Sequence, residues 1–336
     1  TIDLSDSTKV TKWLTDGYGQ APGTDRFINN NVHVDHHFLG TIKDSPTTFR
    51  ILHGSDGGVA VSNSSSDPGV NNGDFTEFKN GYNTSQFYGA DKVKGYHQYI
   101  GGLQDNGTWY SDRNTDVDPS ANSIYNFGLG GDGFEVIAHW DDPDKMMGSS
   151  QYNNTFRSLN GGASWQSLGD KFSKSEGDQF IVRLATSYQD PDNVYLITGN
   201  GVWKTFNFGE TFHVTPMGWS SSFGSWNDIE VSLANPRYVW AGNSMWGGTG
   251  QLSVSSNYAA SFDKVSTSSD ANYGFSGIYS HPTEDSTVYA LFAGRGGSKI
   301  LESKDLGQTW EDISGFSGGG GISSRDFPDV AVYSLA

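Results

Sequence analysis

His33, Asp35 and His37 alternate along the chain, so on a β-strand they would project from one face. Neutral imidazole with a carboxylate is a transition-metal ligand set. Same-face neighbours stand ~7 Å apart, so the same triplet also suits hydrogen-bonded packing. A second set is acidic: Asp132, Asp178, Asp228 and Asp329 each precede an apolar run. Carboxylates gathered around a channel could hold a hard cation such as calcium; alternatively each accepts backbone N–H groups at a tight turn. Neither reading requires a cofactor. A third set joins Asp56, Gln104 and Asp105, in short turns, to Trp219 and Trp246, in longer loops. Indoles exposed beside polar acceptors would stack on sugar rings, whereas indoles such as Trp203 and Trp226 read as packing between layers. No Ser/His/Asp nucleophile set stands out, and the Gly318–Gly321 run lacks the helix and lysine of a phosphate cradle.

These residues are positioned by a repeat. The octet Ser158-Leu-Asn-Gly-Gly-Ala-Ser-Trp165 recurs as Thr205–Phe212, Ser255–Phe262 and Ser303–Trp310, with starts 47, 50 and 48 residues apart. The shared pattern is Ser/Thr-x-Asp/Asn-x-Gly-x-Ser/Thr-aromatic, with Ala259 for glycine in the third copy. The carboxylate or amide of Asn160, Asn207, Asn257 or Asp305 should close a turn onto backbone N–H groups, and the glycine should take a positive φ. The rings of Trp165, Phe212, Phe262 and Trp310 should then return to the core.

Each octet follows a short β-rich run carrying a glycine, in a series Gly54, Gly101, Gly148, Gly199, Gly242 and Gly294. Apolar first strands are expected at Val32–Leu39, Gln86–Ala90, Phe134–His139, Phe180–Ala185, Ile229–Leu233, Ser276–Ser280 and Val330–Leu335. No sustained 3.6-residue period exists, so helix should be nearly absent. Four strands per ~48 residues is a β-propeller blade. The expectation is a single all-β propeller over residues 1–336, of seven blades (six as the alternative). Six blades are complete. The seventh is split between residues 1–13 and 330–336, which reads as a window from a longer protein. In antiparallel blades the second-to-third-strand turns share one end with the links to the next blade, and the octets lie at the other. That places Asp56, Gln104, Asp105, Asp132, Asp178 and Asp228 at one end.

Composition narrows the partners. The 336 residues include 21 basic and 38 acidic ones, a net charge of −17. Such acidity disfavours nucleic acid and anionic membrane, and no apolar run approaches the ~18 residues of a spanning helix. Ten Trp, sixteen Tyr and twenty Phe supply a core, and zero Cys excludes disulfides and thiol chemistry. A Gly-, Asn- and Trp-rich, Lys-poor chain whose Thr1 opens no signal peptide reads as a mature secreted or cell-surface bacterial protein.

The octets resemble the Asp-box, or BNR, repeat of sialidases, sortilin-type receptors and xyloglucanase-type glycoside hydrolases, over nearly the whole chain. His33-Val-Asp-His-His37, Gly54-Ser-Asp-Gly-Gly58 and Gly102-Leu-Gln-Asp-Asn-Gly-Thr108 are most similar to secreted bacterial proteins of the sortilin and xyloglucanase-like group. The resemblance implies a structural role for the octets and further propeller repeats beyond the chain. It also implies a candidate catalytic base at Asp56, whose context resembles the Asp-x-Gly-Gly turn of the xyloglucanase type, although here two glycines follow directly. An inverting partner acid about 6.5–9.5 Å away would come from a second propeller. Phe49-Arg50-Ile51-Leu52 resembles the Phe-Arg-Ile-Pro motif of sialidases with Leu for Pro, but no other arginine lies in a matching motif. Two functions stand: a binding or scaffold module for glycan or protein, and a glycoside hydrolase with a shared cleft. Membership of a surface assembly is compatible with the first.

Overall fold

Runs rich in β-branched and aromatic residues, punctuated by Gly, Asn and Asp-Pro turns, can satisfy their backbone groups only by pairing with neighbouring runs. The computed structural model describes residues 32–78, 85–113, 124–171, 180–218, 227–243, 251–265, 275–294, 296–315, 328 and 330–335. The chain divides into two units, Thr1–Ser85 and Gln86–Ala336. The first holds one sheet of β1 (His36–Lys43), β2 (Phe49–Ser55), β3 (Gly58–Ser62) and β4 (Phe75–Glu77).

The second unit repeats that plan five times. Its first sheet is β5 (Gly89–Lys92), β6 (Tyr99–Leu103), β7 (Gly107–Ser111) and β8 (Tyr125–Leu129). The next is β9 (Val136–Ala138), β10 (Met146–Ser150), β11 (Asn154–Ser158) and β12 (Gln166–Ser167), followed by β13 (Leu184–Thr186), β14 (Val194–Thr198), β15 (Gly201–Thr205) and β16 (His213–Pro216). Then come β17 (Asp228–Val231), β18 (Val239–Asn243), β19 (Gln251–Ser255) and β20 (Asp263–Val265). The last sheet is β21 (Phe275–Ser280), β22 (Val288–Phe292), β23 (Ile300–Ser303) and β24 (Glu311–Asp312). All pairs within these six sheets are antiparallel and follow chain order. Among the described residues there is no helix, and so none long and apolar enough to cross a membrane. This is an all-β fold of the β-propeller class.

In the second unit the first strands touch in succession, β5 to β9, β13, β17 and β21. The core lies in layers between neighbouring sheets. One layer joins Phe134, Met147 and Leu168 to Leu184, Leu196 and Trp203; the next joins Tyr195 and Ile197 to Ile229 and Val239. A third joins Trp240 and Leu252 to Phe275 and Val288. A sheet covered on both faces buries both sides of its middle strands, so β14 and β15 are buried throughout and show no alternation.

The four octets form one turn four times. Ser303 Oγ accepts the Gly307 N–H (2.8 Å) and donates to Asp305 Oδ1 (2.9 Å), which accepts the Thr309 N–H (2.8 Å). Ser158, Thr205 and Ser255 repeat this with Asn160, Asn207 and Asn257. Gly162, Gly209 and Gly307 take φ of 94°, 81° and 82°, and Ala259 adopts 57° at a cost that glycine would not incur. The residue before each of these donates its N–H to the first-to-second-strand turn of its own sheet: Gly161 to Asp144 O, Phe208 to Asp192 O, Tyr258 to Arg237 O, Leu306 to Ser286 O. Trp165, Phe212, Phe262 and Trp310 pack, half-buried, on the edge of an intersheet layer. Ser303→Ala removes the hydroxyl that serves three bonds and is expected to lower stability by about 1 kcal/mol, read as a lower urea midpoint with unchanged slope.

First strands differ from expectation in detail. β1 begins at His36, because Asp35 takes a left-handed φ of 60° that a strand cannot continue. Val330–Leu335 carries no strand; isolated bonds tether it, among them Val332 N–H to Phe292 O (3.2 Å), Ser276 Oγ to Val332 O and Tyr279 Oη to Tyr333 O (3.2 Å). Residues 1–13, expected as the end of a blade, lie outside the described residues.

Candidate functional site

At the end that carries the second-to-third-strand turns, the second unit builds a hydrogen-bonded relay. The turn from β6 to β7 is Gln104-Asp105-Asn106, with Asp105 at φ 64° and Gly107 at φ 76°. Asn106 Nδ2 donates to Gln104 O (3.2 Å), and Trp109 Nε1 donates to Asn106 O (2.7 Å). The Asp105 N–H donates to Asp132 Oδ1 (2.9 Å) in the link leading to β9. The Asp132 N–H in turn donates to Gln151 Oε1 (2.9 Å) in the β10–β11 turn. Gly102 makes the approach possible: a side chain there would strike the backbone at Gly133 and Phe134. Gln104, Asp105 and Asp132 are thus brought together. Trp219, Trp246 and Asp178 lie outside the described residues.

In the first unit Asp56 sits in the β2–β3 turn, with Gly58 at φ 118°. His37 Nε2 contacts its Oδ1. An oxygen of Asp35 lies within 4.8 Å of one of Asp56. His33 takes another direction, with its Nδ1 2.9 Å from Val34 O and its ring against Gly57. Because β1 starts only at His36, His33, Asp35 and His37 do not share one face of a strand. His36 instead meets His53, ring centroids 4.4 Å apart. His53 is buried, and burial, then His36 and His33, hold its pKa below the ordinary imidazole value against the pull of Glu77.

A third arrangement joins Asp228 of the acidic set to charges that no motif singles out. The first strands of the second unit carry a line of charges on the edge away from their partners. Arg183, just before β13, donates from Nη1 to Glu135 Oε2 (3.2 Å), and its Nε lies 4.0 Å from Asp228 Oδ1. These side chains keep 26%, 24% and 20% of their surface exposed. Asp228 Oδ2 accepts the Ile278 N–H of the next sheet (3.0 Å), and Glu230 Oε1 accepts the Ser280 N–H (3.1 Å) and hydroxyl (2.7 Å). Asp91 Oδ2 does the same for the Ala138 N–H (2.8 Å). A first strand is an edge strand, and its outward N–H groups need acceptors; carboxylates from the preceding repeat supply them.

Burial pushes Glu230 up to about 7, offset by the Ser280 bonds and reinforced by Asp228 and Glu135. Burial also pushes Glu135 up to about 7 against the attraction of Arg183. Asp228 and Asp91 are raised by burial and held back by their N–H donors, with Arg183 helping at Asp228. Burial works against the Arg183 charge, but Asp228 and Glu135 outweigh it and hold the guanidinium ionised. Of the acidic set, Asp132 spends one oxygen on a backbone N–H group and Asp228 spends both. Separately, Phe87, Tyr99, Trp109 and Tyr125 line an open groove of about 480 Å³ on the β5–β8 sheet, with Asp91 and Lys92 beside them.

The comparisons bear on the fold. No family model and no curated protein matches the chain. Among solved structures, a GH74 enzyme of Niastella koreensis is similar at 15% identity and TM-score 0.50, over 79% of this chain and 35% of that one. The chain thus spans about a third of that enzyme's length. YCF48 from Cyanidioschyzon merolae aligns at 15% identity and TM-score 0.47, over 91% of this chain and 89% of that one. The likeness is one of fold.

The inner charges did leave a trace in the sequence: one or two charged residues stand in three of the apolar first-strand runs, Phe134-Glu-Val-Ile-Ala138, Ile181-Val-Arg-Leu-Ala185 and Asp228-Ile-Glu-Val231. A charge within so short an apolar run has to find a partner, and here the partner lies about one repeat away.

Proposed function

We propose that this chain is an extracellular β-propeller binding or scaffold module that takes a glycan or a protein at the end carrying the second-to-third-strand turns. The relay Asp105–Asp132–Gln151 carries the reading. It fixes a turn of one sheet, the link, and a turn of the next, so polar groups there are held before a ligand arrives, and preorganisation lowers the ordering cost of binding. The four octet turns support their reading as Asp-box repeats. Trp219 and Trp246 are the candidate stacking rings, and calcium at the acidic positions is no part of this reading.

Asp132→Ala frees the Asp105 N–H and is expected to weaken binding about fivefold, equivalent to ~1 kcal/mol. The check is a panel of neutral polysaccharides and peptides followed by calorimetry on the best binder. No binder for the native chain, or one indifferent to Asp132→Ala, sinks the proposal.

The rival reading is a glycoside hydrolase with Asp56 as base. The His37–Asp56 contact favours it, since a neighbouring imidazole holds the carboxylate in one orientation. Asp35 is no partner acid for inversion. It approaches Asp56 within 4.8 Å, closer than the ~6.5–9.5 Å that leaves room for a water. Reducing-sugar release abolished by Asp56→Asn would replace the binding reading with this one.

A further inference from the structure

At the opposite end, the second residue beyond each first strand occupies an equivalent place: Lys94 after β5, Trp140 after β9 and Tyr188 after β13. In space these three form a stair. Lys94 Nζ sits 4.5 Å from the Trp140 ring centroid, and Trp140 lies 4.4 Å from Tyr188 with planes inclined at 37°. The steps are held from below. Buried His139 accepts the Asp141 and Asp142 N–H groups at Nδ1 (3.2 and 3.0 Å), and Gln189 Nε2 donates to Leu233 O and Ala234 O (2.9 and 3.1 Å). Tyr188 is 54% exposed, so its ring presents open surface.

Charge at the stair is net negative. Asp141, Asp142, Asp190 and Asp192 flank the rings, while Lys94 and Lys145 supply two positive charges. Lys145 is already paired with Asp192 (2.8 Å), and Lys94 with Asp141 (3.5 Å). We infer that this stair is a docking surface for an arginine-bearing segment of a partner protein, with a guanidinium stacked on the open face of Tyr188, continuing the stair, and bonded to the flanking carboxylates. The native cation on Trp140 demonstrates the mode of contact. Guanidinium fits it better than ammonium, because its plane stacks on a ring while its edge binds carboxylate. A neutral sugar could use the rings but would gain nothing from the charge. This surface lies at the octet end and is independent of the relay at the other end.

The test measures calorimetric affinity of the full chain for capped hexa-arginine, hexa-lysine and a neutral xyloglucan oligosaccharide at physiological salt. Hexa-arginine is expected to bind more tightly than hexa-lysine. Tyr188→Ala should weaken it about two- to fivefold. Lys94→Gln, which removes a competing positive charge and releases Asp141, should tighten it by a similar factor. Both sites are exposed, so both variants should fold. Equal affinity for the two peptides, insensitivity to Tyr188→Ala, no binding of hexa-arginine, or displacement of it by the oligosaccharide would each overturn the proposal.

Discussion

Arg183→Met is expected to cost about 3–5 kcal/mol at pH 8 and distinctly less near pH 5.5. The guanidinium stands between Glu135 (3.2 Å) and Asp228 (4.0 Å), with Glu230 also on β17. Without it, two poorly hydrated carboxylates face each other with their main positive neighbour gone. Asp228 is committed to the Ile229 and Ile278 N–H groups, so Glu135 is the group that should take a proton. Its carboxyl is already at about 7 with Arg183 present and must rise further without it. Lowering the pH therefore neutralises the defect. Urea unfolding of both proteins at pH 8 and 5.5 measures this. A penalty equal at the two values would show that Arg183 acts through the packing of its alkyl stem rather than its charge. The neutral combination Glu135→Gln, Arg183→Met, Asp228→Asn should recover much of the loss, since replacing a whole buried ion set costs far less than breaking it.

Glu230→Gln is expected to stabilise the protein by about 2 kcal/mol at pH 8 and to change little at pH 5. Glutamine keeps the acceptor oxygen that takes the Ser280 N–H and hydroxyl, and it removes a charge that burial disfavours. The folded carboxyl titrates at about 7 against an ordinary value of 4.5. Below 4.5 both folded and unfolded chains hold the proton, and the group carries no penalty. Between 4.5 and 7 the unfolded chain releases it more readily, so stability falls as pH rises, and above 7 the full penalty is present. The native protein should thus lose stability across this window, and the variant should show a flatter profile. Asp74 and Asp305 have pKa values lowered by hydrogen bonds, from the Asn71 N–H and from the Thr309 hydroxyl respectively. Their contribution is lost as pH falls through their own lower range, so the comparison is cleanest above pH 5. Thermal melts at half-unit steps from pH 5 to 9 give both profiles, and a variant no more stable than the native chain at pH 8 would contradict the assigned desolvation.

The octets were legible because their information is local. Ser303, Asp305, Gly307 and Thr309 bond one another within a few residues, so spacing alone implies the turn, and four copies imply a repeated sheet. The positions of the strands were less legible at their edges. Phe134–His139 reads as one apolar run, yet β9 covers only Val136–Ala138, since Phe134 and Glu135 belong to the link beside Gly102. His33-Val-Asp-His-His37 looked like a regular strand, and the left-handed Asp35 breaks it.

What the sequence determined by itself is the repeat: its period, its all-β character, its octet turns and the end of each sheet at which they fall. All of these follow from side chains meeting backbone within one repeat. What only the tertiary structure decided is how neighbouring repeats of the second unit contact each other. Asp91 reaches Ala138, Arg183 reaches Glu135, Glu230 reaches Ser280, and Lys94, Trp140 and Tyr188 stack in order. Each of these contacts spans some 46 to 50 residues, and each depends on the angle and spacing between neighbouring sheets. Those quantities are set by the summed packing of the core layers, to which no short motif corresponds.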